Sequence, residues 1–213
     1  MSDLTQWAMK QVHRRFGTVT EASLARAFNR VRRELQDVDL LYDGKYLDRI
    51  DCTQSILPAF GGEYGFVFDG GVDWKYRLAG FKPGVIYLPL NPPIEHYVPG
   101  GTLLDVIRHE FAHAWAWLDP KFIKQPWFPK AFGARYHDEW IEVPEASRTD
   151  FASAYACTAP KEDFAETFML FLRQRKKLDR YRDRRGLYRK LKAVERAVAV
   201  AARDRVMRIR GPR

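Results

Sequence analysis

The feature that most constrains this chain is a pair of histidines four residues apart, His109 and His113, in "DVIRHEFAHAWAW" (105–117). Side chains at positions i and i+4 project from one face of an α-helix, one turn apart. For both imidazoles to serve one ion, the segment must be helical and that face must meet a donor from elsewhere in the chain. Glu110 lies about 100° further round the helix. From there it can reach a water on that ion without ligating it, which is the physical content of an HExxH motif. Independent signals support the helix. Thr102 followed by Asp105 is a capping-box pattern, and Asp119-Pro120 marks a stop.

A catalytic zinc needs a third protein ligand and one open position for water. His96, His137, Glu162, Asp163 and Glu166 are the candidates. The segment "YACTAPKEDFAETF" favours Glu162, because Pro160 suits the first turn of a helix and Glu166 falls one turn beyond Glu162. One acid can then ligate while the second accepts the far N–H of a ligating histidine and fixes its tautomer. Asp163 is expected only to complement the positive end of that helix. His137, in "ARYHDEW", lacks a second acid at helical spacing.

With these residues in place the chain resembles the lethal-factor-like zinc peptidases, a branch of the glutamate zincins. The likeness rests on HEFAH and on Tyr155 seven residues before Glu162, and it spans about residues 84–172. It implies one zinc per chain held by His109, His113 and Glu162, with Glu166 behind them. It further implies Glu110 as general base and Tyr155 as donor to the oxyanion of a peptide bond under hydrolysis. The implied partner is a protein or peptide substrate. Two alternatives stand beside this reading. One is a DNA-associated HExxH protease recruited by a basic tail, a type in which a downstream histidine serves as third ligand. The other is a zinc-binding protein without activity.

Charge bears on that tail. The net charge of +9 over 213 residues is uneven. Residues 173–213 hold 17 Lys/Arg against 4 Asp/Glu, whereas the rest hold 19 against 23. An anionic partner such as nucleic acid is therefore an expectation for 173–213 alone. Leu187, Leu191, Val194, Val198 and Ile209 nevertheless mark an apolar helical stripe there. Arg189, Lys190, Lys192 and Arg196 are expected on its solvated faces. Cys52 and Cys157 form no CxxC pair, which excludes a cysteine-built zinc site and suits a reducing compartment. No apolar run is long enough to span a membrane, and the first residues lack a signal-peptide core. A cytoplasmic location, or export without a cleavable signal, follows as an expectation.

The expected class is α+β, zincin-like: a small mixed sheet, an active-site helix with flanking helices, and a basic helical extension. Residues 1–175 would form the metallopeptidase domain, with N-terminal helices over about 3–36 and a catalytic core over about 37–175; 176–213 would be the extension. Thr20 is expected to cap a helix to about Gln36, and strands are expected near 38–42, 64–69 and 84–89. Pro89, which cannot donate to a ladder, favours an edge position for the last strand. Residues 120–148, rich in proline and aromatics without a steady period, read as a long irregular loop.

Overall fold

The computed structural model describes residues 20–42, 45–46, 50–55, 66–68, 80–89, 101–139 and 145–210. Helix α1 (Glu21–Gln36) starts where Thr20 and Ser23 bond reciprocally, Thr20 N–H to Ser23 Oγ at 2.8 Å and Ser23 N–H to Thr20 Oγ1 at 3.1 Å. Such a cap satisfies amide donors that have no partner within the helix. The short strands β1 (Leu41–Tyr42) and β2 (Lys45–Tyr46) pair antiparallel. Strands β3 (Asp51–Ser55), β4 (Phe66–Phe68) and β5 (Val85–Pro89) form a second sheet in the order β3-β5-β4. It is mixed, because β5 runs parallel to β3 and antiparallel to β4. With the helices below, the class is α+β and mostly helical. The expected N-terminal helix before Thr20 and the "NPPIEHYVPG" turn lie outside the described residues.

The edge position expected for the 84–89 strand is not what the fold adopts: β5 is the central strand. Pro89 is tolerated because β4 pairs only with Val85–Tyr87, so Pro89 faces a ladder on the β3 side alone among the described residues. Strand β3 carries no alternating apolar signal and went unanticipated.

Helix α2 (Leu103–Leu118) is held at its start by Asp105 Oδ2, which accepts from the Thr102 N–H and hydroxyl, each at 3.0 Å. Its flank carries a buried charge network. Arg108 grips Glu34 of α1 bidentately at 2.7 Å and donates to Asp105 at 2.6 Å. Arg173, at the end of α5 (Pro160–Gln174), reaches Asp105 at 3.3 Å. Removing Arg108 leaves the buried Asp105 without its closest partner, and breaking a buried pair in this way costs about 3–5 kcal/mol. The network therefore pins the register of α1 and α5 against α2.

Residues 120–139 correct the loop expectation. They contain α3 (Pro120–Ile123) and α4 (Trp127–Phe132), followed after the undescribed 140–144 by a 3-10 helix at Glu145–Asp150. Their aromatics are core rather than surface: Phe122 stacks on Trp115 of α2 at 4.1 Å, and Phe128 is fully buried. Fully burying one such ring is worth about 1.5–3 kcal/mol, enough to order short helices that have no periodic face of their own. Helix α6 (Arg185–Arg210) lays Leu187, Leu191, Val194 and Val198 into the same buried cluster as Phe164 and Phe168 of α5. No helix among the described residues is long and apolar enough to cross a membrane.

Candidate metal centre

Helices α2 and α5 pack along one another, and the facing turns carry the site. His109 and His113 place their Nε2 atoms 3.1 Å apart. Glu162, in the first turn of α5, sets Oε2 3.2 Å from His109 Nε2 and 3.3 Å from His113 Nε2. His109, His113 and Glu162 form a group that can hold a metal ion, one ligand atom from each. Two imidazole lone pairs and a carboxylate oxygen have no reason to crowd together except around a cation or a proton. Tetrahedral zinc, with bonds of about 2.0–2.1 Å, separates its ligand atoms by about 3.3 Å. The observed separations match three corners of such a tetrahedron, so the donor set fits the ion.

The far nitrogens are held as well. His109 Nδ1 lies 2.7 Å from Glu166 Oε1, and Glu166 is almost wholly buried. A carboxylate there holds a proton on Nδ1, so Nε2 is the nitrogen that a metal can take once it displaces the proton from it. His113 Nδ1 lies 2.8 Å from the Tyr136 hydroxyl. Burial, then the charges of Glu162 and Glu110, push the Tyr136 phenol well above its ordinary range, so it stays a neutral hydroxyl. Burial works against the Glu162 carboxylate, yet its bonds to His109 and His113 hold the carboxyl well below the usual range. Burial also opposes an imidazolium at His109, but Glu162 and Glu166 outweigh it and raise its pKa well above the ordinary value.

Glu110 is buried on α2, and its charge acts on Tyr136 and on Cys52. The Cys52 thiol is pushed up to about 12, by burial first and then by Asp51 and Glu110, and stays protonated. Tyr155 opens a 3-10 turn (Tyr155–Cys157) and sets its ring 5.8 Å from the His109 ring.

Among the other third-ligand candidates, His137 is exposed and packs its ring on Tyr136 at 4.9 Å, outside the ligand group. His96 lies outside the described residues. Asp163 corrects its expected role. It is fully buried and pairs with Lys190 of α6 at 2.7 Å, rather than merely facing the helix N-terminus. Sequence reasoning missed Tyr136, which no spacing rule marks. It reaches His113 because Gly133, in the left-handed region at φ 85°, ends α4 and turns the chain back. Replacing Tyr136 with Phe is expected to keep the fold and weaken metal affinity about tenfold, as loss of a hydrogen bond to a ligating histidine does. A chelator-competition titration showing unchanged affinity would remove Tyr136 from the site.

No protein-family model, curated protein or solved structure matches this chain.

Proposed function

We propose that this protein is a zinc-dependent endopeptidase. The observation that carries the reading is the convergence of His109 Nε2, His113 Nε2 and Glu162 Oε2 at 3.1–3.3 Å on a helix that also bears Glu110. Zinc held there would supply Lewis acidity, lowering the pKa of a water toward about 7 and polarising a carbonyl. Glu110 takes the proton of the attacking water and returns it to the leaving nitrogen. Glu166 and Tyr136 keep the two imidazoles oriented through Nδ1. Tyr155, through its phenol hydroxyl, hydrogen-bonds the oxyanion that forms as the carbonyl is attacked.

The deciding experiment maps new protein N-termini produced in a whole proteome by the wild-type chain and by Glu110→Gln. Cleavages made only by the wild type support the peptidase. Zinc binding without any Glu110-dependent cleavage supports the non-enzymatic reading. Cleavage that requires added DNA supports recruitment by the basic segment. A separate expectation concerns Tyr155→Phe. It should keep its metal and lose roughly a hundredfold in turnover, the usual effect of deleting one oxyanion donor. Full turnover in that variant would exclude Tyr155 from the chemistry.

A further inference from the structure

Lys190 is the one charged residue of α6 that is buried, among the described residues. Its ammonium makes three contacts: 2.7 Å to Asp163 Oδ2, 3.0 Å to the Asp150 carbonyl, and 3.6 Å to the centroid of the Phe151 ring. Two of the chain segments that form the site therefore meet on one side chain. Asp163 is the neighbour of Glu162 in the first turn of α5, and Phe151 lies four residues before Tyr155. The start of α6 grips the second segment further. Arg184 donates to the carbonyls of Thr149 and Phe151, and the Gly186 N–H donates to Asp150 Oδ1 at 3.1 Å. A Cβ on Gly186 would stand 2.1 Å from Asp150 Cγ, so only glycine admits this approach.

We propose that Lys190 is a positioning residue for the metal group: by tying Asp163 to the Asp150–Phe151 backbone it sets the rotation of α5 and so the direction of Glu162. Adjacent helical residues point about 100° apart, so Asp163 faces α6 while Glu162 faces the histidines. At a side-chain radius of about 6 Å, a 10° rotation of α5 moves the Glu162 carboxylate on the order of 1 Å. Ligand atoms must be held to about 0.5 Å for a metal site to keep its geometry. Apolar packing of Leu187 and Leu191 resists separation of the helices but resists rotation weakly, because it is non-directional. The polar contacts of Lys190 with Asp163 Oδ2 and the Asp150 carbonyl supply the missing direction. Glu166, one turn on from Glu162 and bonded to His109, is carried by the same rotation.

The inference rests on the metal-binding reading of His109, His113 and Glu162 and not on the peptidase reading, so its test needs no substrate. The double variant Asp163→Leu, Lys190→Met puts apolar side chains of similar shape in place of both charges, a type of replacement that is often neutral for stability. In the metal-free state its thermal midpoint should stay near the wild type. Its zinc affinity should fall about tenfold or more. Its cobalt(II) absorption should lose the intensity of a tetrahedral site, a change that a merely structural role would not produce. Unchanged affinity and an unchanged cobalt spectrum in the folded variant would overturn the proposal. A second readout uses the wild-type chain. Coupling is reciprocal, so zinc should slow amide hydrogen exchange at 149–151 and 184–190, which are not members of the ligand group, and leave 199–203 unaffected. No slowing there would overturn the proposal even if the variant fails to fold. A wild-type chain that takes up neither zinc nor cobalt fails earlier, on the metal group itself, and removes both ideas.

Discussion

Replacing His109, His113 or Glu162 with alanine is expected to strip the metal from the protein. The wild-type chain should carry about one zinc, and each variant close to none after dialysis against a weak chelator. The size follows from the site. If three protein ligands share roughly 10 kcal/mol of binding free energy, each contributes roughly 3 kcal/mol, on the order of a hundredfold in affinity. His109→Ala should also lower the stability of the metal-free chain, because it leaves Glu166 buried without its partner for Oε1. His137→Ala is the matched control, since that ring is exposed and outside the ligand group. Metal content that survives Glu162→Ala and vanishes with His137→Ala would refute the site as drawn. Stability should follow occupancy. With free zinc at about 100 times Kd, binding adds roughly 2.7 kcal/mol, which a chelator removes and each ligand variant lacks from the outset.

Glu110→Gln should separate chemistry from binding. The amide preserves the shape of a buried side chain that is not a member of the ligand group, so zinc uptake and fold should match the wild type. What is lost is the base, and general-base catalysis contributes about 10²–10⁴-fold. Hydrolysis of a peptide identified from the N-terminus mapping should fall by that factor or below detection. Retained zinc with wild-type turnover would show that the attacking water loses its proton elsewhere. Loss of zinc in this variant would mean that Glu110 supports the ion directly, and the assignment of roles would need redrawing.

Several parts of this structure were legible in the residues alone because they rest on local geometry. The i, i+4 spacing of His109 and His113, the Thr102–Asp105 cap and the Asp119-Pro120 stop define α2 without reference to any other element. The same holds for the Thr20 cap of α1 and for Pro160 opening α5. Glu162 was reachable because a second acid one turn away is also a local pattern. The stripe Leu187, Leu191, Val194 and Val198 marked α6 in the same manner.

Tertiary structure decided the rest, and in each case a partner distant in sequence changed the role of a residue. Lys190 stands at the i+3 position of that stripe, a signal that could have removed it from the solvated face. Yet only the packing of α6 on α5 supplies Asp163 to neutralise it. Residues 120–132 have no helical period, but the buried ring faces of Trp115 and Phe164 give Phe122 and Phe128 a place to pack. Strand β5 can be central because β4 pairs with Val85–Tyr87 and stops short of Pro89. Tyr136 meets His113 across 23 residues that include two short helices and a left-handed glycine. Sequence alone determined which side chains share a helix face, because backbone periodicity sets that within a single turn. Which faces meet is set by burial of surface between elements, and that free energy belongs to the folded whole.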